Sequence, residues 1–590
     1  MKLRLLLLPV LWSAAHARAA APAFPGVEGA GSNATGGRGG EVVHVTNLNA
    51  SGPGSFAEAV SQGDRIVVFD VSGIIDLMGK KKGGKVAIEH PNITVLGQTA
   101  PGEGICLKNG CLEISASNVI VRYLRSRRGW IQERDTGDAI EVKPASLGET
   151  TAPAGQTQEA FDKRKSKKAA RGKFMHEFAS LSDIVIDHCS TSWATDENLT
   201  MTHSDRTTLS WSIAAEGCDY HNPKQTPPNH SEGSLWGSAA PDGRATMHHV
   251  LYAQNRLRNP RSTGGADQPP VLTLYNNVVY DWSEYASHTG SERVFINWLN
   301  NYYKPGPDTP EDIRAHGFEF HGDPGARVFG KGNFMAGSPE ATTNNKLAIF
   351  HGSKFRKVSA EDKEAMKVDA AFGETPKMES AEQAFESVLA DAGATLPARD
   401  TVDLRIVNGV RDGKGRIIEK ETSLAETERW PEYRSLPILA GSGQSGIPDA
   451  WAKRFGLHSS DAAKIAADGY ANIEHYANNT DPTGNGTVIV HIAATVSRAS
   501  PGVPGEWEVT RGGDLSRPLT VKYSVSDDAQ AAGDREVLPG TVTIPAGKAS
   551  ALIPLHVYKG EGQVVAITLD AGQTDYAVGC PGASLVVTCR

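Results

Sequence analysis

Between about residues 42 and 335, short β-rich runs return at intervals of about 22–26 residues. They include EVVHVTNL, RIVVFDVSG, NITVLGQ, NVIVRYLRS, DIVIDHCSTSW, TTLSWSIA, ATMHHVLYAQN and VLTLYNNVVYDW, bounded by Gly, Asn, Asp and Pro. Asn92 to Asn118 spans about 26 residues, Ile184 to Thr208 about 24, Met247 to Leu272 about 25 and Leu272 to Val294 about 22. No helical run of 10–15 periodic residues separates the strands, so a parallel sheet with covering helices is disfavoured. A β-sandwich is the rival, but it does not require such even spacing. The period therefore predicts an all-β solenoid, one coil per repeat. Asparagines at strand ends (Asn92, Asn118, Asn276, Asn277, Asn300, Asn301) suit stacked turns that bond backbone groups, or ordinary turns.

Residues 139–180 interrupt the repeat with a polar stretch containing DKRKSKKAARGK, expected to loop from one face. From about 355 to 400, SAEDKEAMKVDAA and SAEQAFESVLADAG read as helices with Ser N-caps and acidic first turns. GIPDAWAKRFGL and DGYANIEHYANNTDP form a separate small unit. After it, WEVTRGGD, VKYSVS and GTVTIPAGKASALI alternate as strands of a C-terminal β-sandwich. The expected division is a signal peptide at 1–21, the solenoid at 22–440, a linker repeat at 441–484 and the sandwich at 485–590.

Residues 1–21 combine Lys2 and Arg4, a short apolar stretch and small residues near Ala19, the pattern of a cleaved secretory signal. The expectation is an extracellular or periplasmic monomer with no membrane span. Net charge is −8 over 590 residues, which argues against general nucleic-acid binding. The six cysteines suit an oxidising compartment. Cys106–Cys111, Cys189–Cys218 and Cys580–Cys589 are the pairings considered, with free or buried thiols as the alternative.

Two groups of residues carry chemistry. DTGDAIEV and DIVIDHCSTSWATDENLT bring Asp135, Asp138, Asp187, Asp196 and Glu197 to strand ends. Acids on adjacent coils would lie ~5 Å apart, close enough to share a calcium ion, or they are exposed turn acids. AQNRLRNPRSTGG sets Arg256, Arg258 and Arg261 on one corner. Arginine grips carboxylates with two parallel donors; a solvated, salt-bridged loop is the plain alternative. Pro260 restricts the backbone just before it and so narrows where Arg258 points.

From FPGVEGAGSNATGGRGG through RIVVFDVSG, IDHCSTSWATDEN and LYAQNRLRNPR to YNNVVYDW, residues 24–335 resemble the pectate lyases of polysaccharide lyase family 1. The resemblance implies a right-handed parallel β-helix, calcium as cofactor and a pectate-like acidic polysaccharide as substrate. The family's Arg-x-Pro-x-x-Arg motif falls on Arg258, Pro260 and Thr263, which makes Arg258 the general base. The family's calcium acids fall on Asp138 and Asp196. Asp187-His188 matches a strand motif read as structural. Three positions depart from the family. Thr263 stands where a second arginine is usual, leaving Arg261 or Arg256 to hold substrate. Thr200 stands where the second acid is expected, leaving Glu197 or Asn198. Glu232 stands near a substrate-binding lysine. The expected set is catalytic Arg258; Arg256, Arg261 and His230 on substrate; and Asp138, Asp196 and Glu197 on calcium. The small unit resembles a thrombospondin type 3 repeat, with only Asp449 and Asp468 of its usual acids. The last domain resembles a Calx-beta module.

The chemistry expected is β-elimination. A base removes the C5 proton of a uronate, the C4 oxygen leaves, and calcium on the carboxylate stabilises the developing anion. Arginine has a pKa of ~12 or more, so burial beside cations would have to lower it. The alternatives are a lyase for a different uronate, a β-helix hydrolase with two carboxylates flanking the bond, and a non-catalytic glycan-binding adhesin.

Overall fold

A computed structural model describes residues 21–587 apart from 80–82, 132–136, 145–180, 221–228, 239–242, 266–268, 291, 354, 356–357, 528–532, 560–562, 572 and 580–581. Residues 1–20, where a signal peptide is expected, most of the basic insertion, Asp135, Cys580 and Cys589 lie outside the described residues.

Three parallel sheets of 11, 9 and 9 strands stack coil on coil. The first runs from Glu41–Val45 to Lys367–Val368, the second from Gly84–Ile88 to Ile349–His351, and the third from Gly73–Asp76 to Phe334–Met335. Sheet neighbours come from successive coils, as the period requires, and the solenoid is a parallel β-helix. Inward side chains alternate along each strand. Val95, Val121, Ile186, Leu209, Met247, Leu274 and Trp298 form one continuous apolar file through the first sheet. Each such side chain contributes about 1.5–3 kcal/mol by leaving water.

Register differs from the sequence spacing in places. Ile93 pairs with Val119 as expected, but Ile184 pairs with Thr207 and Met247 with Leu274. A strand is read in register only where one face is plainly apolar and the other plainly wet. Here the outward threonines are covered too: Gly31 N donates to Thr208 Oγ1 (2.9 Å) and Ala30 N to Thr246 Oγ1 (3.1 Å).

The turn asparagines do stack. Asn277 donates to Asn301 (2.9 Å), Asn301 to Asn333 (2.8 Å) and Asn333 to Asn345 (3.0 Å). Each acceptor oxygen also takes the backbone N–H of the coil before it. At the end of the first sheet's strands, Tyr123, His188, Trp211 and His249 share a left-handed backbone and stack, Trp211 on His249 at 4.0 Å.

Beyond the last coil, helices Ala381–Asp391 and Thr401–Asp412 fold back onto the third sheet. Ser380 caps the first with a capping box and Asp400 caps the second. Val388, Val402 and Ile406 pack against Ile213, Leu251 and Val278. Beneath them Arg127, fully buried, pairs with Asp400 and Asp403, both at 2.9 Å. Short helices Asp449–Arg454 and Asn472–Asn478 then press Trp451 and Ile473 against Ile66, Val68 and Leu96 of the first sheet. The chain ends in a four-stranded and a five-stranded sheet sharing an apolar cluster around Trp507, Val521 and Ile567.

Two of the considered cysteine pairings require correction. Cys106, Cys111, Cys189 and Cys218 are free and buried. Cys106 belongs to a third-sheet strand and Cys111 to a second-sheet strand, and Cys189 and Cys218 sit on separate coils. Each thiol packs as a small apolar group, and burial pushes Cys106 up to about 11.

Candidate functional site

The acids and the arginine corner meet on the outside of the second sheet. Strands Glu197–Thr202 and Glu232–Gly237 lie side by side, with Glu197 in register with Glu232. Like charges directly opposite repel. The next coil answers them: Leu257 bridges to Glu232, and the guanidinium of Arg258 then reaches both glutamates. Its Nη1 is 2.5 Å from Glu232 Oε2 and in closer contact still with Glu197 Oε1.

The corner is pinned from inside. Its asparagines point inward and its arginines outward. Asn198 Nδ2 donates to Asn255 Oδ1 (3.0 Å) and Asn255 Nδ2 to Asn259 Oδ1 (3.1 Å). Arg258 takes φ 61°, a conformation costing an L-residue about 1–2 kcal/mol. Its carbonyl accepts Ser234 N at 2.6 Å. A Cβ on Gly233 would lie 2.6 Å from that carbonyl, so SEGSLWG needs its first glycine for the corner to pack so close.

Asp138 arrives from the preceding coil. Gly137 O accepts the backbone N–H groups of Thr195 (3.1 Å) and Asp196 (3.3 Å), which ties the two acid-bearing loops together. One carboxylate oxygen from each of Asp138, Asp196 and Glu197 lies within 4.8 Å of the other two. Oxygen donors alone in such a group fit calcium. Thr200 gives no carboxylate here, and Asn198 is turned into the core ladder, so Glu197 is the third acid. Asp187 lies elsewhere, bound to Arg122 (2.8 Å), His188 (2.7 Å) and Ser210.

The carboxyl groups feel their crowding. Burial, then Glu197, pushes Asp138 well above the usual carboxylate range. Burial raises Glu197 and Glu232 against the pull of Arg258. Burial also raises Asp196, but hydrogen bonding from His230 and the charge of Arg258 outweigh it and hold that carboxyl low. For Arg258, among the protein's own groups, burial acts downward, but Glu197, Glu232 and Asp196 together raise it. Arg261 goes the other way, lowered by burial and by Arg258.

The three arginines are not equivalent. Arg256 is held by Glu284 (2.9 Å) and Asp219 (3.5 Å). Arg261 forms no ion pair among the described residues and stands in an outward file with Leu235 and His288. Thr263 donates to Glu292 (2.5 Å). His230 Nδ1 lies 3.3 Å from Asp196 and 3.7 Å from Glu232, so it faces the acids. Glu232 is the residue sequence reasoning missed as a partner of Arg258. Its placement just before the glycine, and in step with Glu197, was the available signal.

No family model matches the chain. A probable pectate lyase C of Aspergillus terreus is 30% identical over 479 residues, 79% of this chain and 96% of that protein. Its counterpart from Aspergillus fumigatus is 29% identical over 493 residues, 82% and 99% of the two chains. A solved pectate lyase bound to a hexasaccharide is 14% identical, with a TM-score of 0.40, over 64% of this chain and 98% of that one.

Proposed function

This chain belongs to the pectate lyase family and is a polysaccharide lyase, and on that premise we propose that it cleaves pectate by calcium-assisted β-elimination. The observation that carries the proposal is the contact of Arg258 with Glu197, one of three acids gathered within 4.8 Å. Asp138, Asp196 and Glu197 would hold the calcium ion. When bound, calcium supplies positive charge to the uronate carboxylate and so stabilises the anion formed at C5.

Arg258 is the proposed base for the C5 proton. Glu197 and Glu232 both locate it and favour its charged form, so Arg258 must first release one proton to solvent, and only the neutral guanidine then takes the C5 proton. Arg261, with no acid of its own among the described residues, is the proposed clamp for a substrate carboxylate. Arg256 is proposed to touch substrate at the edge of the site, its charge shared with Glu284 and Asp219. His230 is turned to the acids rather than to a sugar, which weakens the expectation that it binds substrate.

Glu232 near the lysine position and Thr263 bonded to Glu292 favour, as a second reading, a lyase for a different uronate polymer. Export is part of the proposal, supported by the composition of residues 1–21. No helix among the described residues is long and apolar enough to cross a membrane. We assign 441–484 and 485–590 as a thrombospondin type 3-like repeat and a Calx-beta-like module serving as spacer or adhesion units, on their sequence resemblance. Mass spectrometry of polygalacturonate digests tests the reaction class. Elimination gives unsaturated oligomers one water lighter than hydrolytic ones; hydrolytic masses would contradict it.

A further inference from the structure

Asp196 stands between two trios. On one side are Asp138 and Glu197; on the other are His230 and Glu232. In each trio the ligand atoms lie within 4.8 Å of one another. The trios differ in chemistry. The first offers oxygen alone. The second adds an imidazole nitrogen, a donor that suits zinc, iron and nickel rather than calcium.

Glu232 gives an independent sign of a missing partner. It is 0% exposed; its Oε2 has the ion pair with Arg258, but its Oε1, 3.7 Å from His230 Nδ1, accepts no hydrogen bond. Arg258 is within ion-pair distance of one oxygen, but that arginine also serves Glu197. A buried carboxylate oxygen without a hydrogen bond is costly, and a cation beside His230 would give Glu232 Oε1 its partner.

We propose that Asp196, His230 and Glu232 bind a second divalent cation of the first transition row, next to the calcium acids and sharing Asp196 with them. The inference rests on the calcium reading through that shared residue. A cation there competes with Arg258 for Glu232, so metal content and the hold on the arginine become linked.

The test uses the full-length protein, stripped with chelator, reloaded with calcium and titrated with Co2+. Visible absorption reports Co2+ ligation and calorimetry gives stoichiometry. The expected result is one Co2+ equivalent with a visible band. His230→Ala loses the band and weakens Co2+ at least about tenfold, with circular dichroism unchanged; His230→Gln does the same if the alanine variant folds poorly. Asp138→Asn, which touches only the calcium trio, keeps the Co2+ band and loses calcium heat. Co2+ binding that is absent from the calcium-loaded protein, or equal in wild type and both His230 variants, overturns the proposal. Failure of the calcium reading alone looks different: no calcium heat in the wild type, with the His230-dependent Co2+ band intact.

Discussion

Arg258 Nη1 lies 2.5 Å from Glu232 Oε2. The two residues sit on adjacent coils, and the pairing of Glu197 with Glu232 one coil earlier sets up the charge that Arg258 answers. The arginine is thereby a fixed feature of the outer sheet face, 16% exposed at its side chain, and not a mobile surface cation.

Loss of the base separates an enzyme from an adhesin. Arg258→Ala and Arg258→Lys are expected to lower kcat by about 10²–10⁴-fold with little change in KM. Steady-state kinetics on polygalacturonate measure this. An adhesin would retain full glycan binding in both variants and show no turnover in the wild type.

Arg261 should matter more for binding than the ion-paired Arg256. Arg261→Ala removes a guanidinium with no ion pair among the described residues and is expected to raise KM about tenfold, the loss of a charge-assisted hydrogen bond. Arg256→Ala leaves Glu284 and Asp219 exposed near the site and should change KM only a few-fold. Paired KM measurements give the ratio; equal effects would remove the distinction drawn between them.

The docking of the returning helices depends on one buried network. Arg127 and Asp403 are 0% exposed, and Tyr433 also donates to Asp400. Breaking a buried pair from one side costs about 3–5 kcal/mol. Asp400→Asn is therefore expected to lower the denaturant midpoint and to expose residues 381–436 to proteolysis first.

Acid should weaken the stack on the first sheet. Burial lowers His248 to about 4. Burial, with His248 beside it, lowers His249 to about 3. Both stay neutral in the fold, whereas the unfolded chain takes up protons below about pH 6.5. The unfolded state thus binds more protons between that pH and about 3, and stability falls as pH falls through this window. Together the two groups contribute on the order of a few kcal/mol. His249→Phe keeps a ring on Trp211 and should flatten the acid limb of a melting-temperature profile; an unchanged limb would show that the pair does not titrate as described.

The coil period and the arginine corner were legible in the sequence because strands, turn asparagines and arginines are local patterns. Ser380 was readable as a helix cap for the same reason. Pairing was harder. Ile184 meets Thr207 rather than Thr208 because the covered threonine face hides which side is inward. Glu232 reads in sequence as a lost lysine, and only the register with Glu197 turns it into a partner for Arg258. Asn255 and Asn259 look like loop residues, yet they form the ladder under the corner. Cys106 and Cys111 are five residues apart in sequence but belong to different sheets, which spacing cannot reveal.

The central claim is calcium-dependent elimination at the Arg258 corner, and near-ultraviolet absorbance during incubation with polygalacturonate tests it most directly. The account predicts a steady rise with calcium, abolition by chelator, recovery on adding calcium back, and a strongly reduced rise for Asp138→Asn at limiting calcium. A rise of equal rate in chelator would contradict the metal assignment. No rise on polygalacturonate, methylated pectin or any other uronate polymer would contradict the elimination itself.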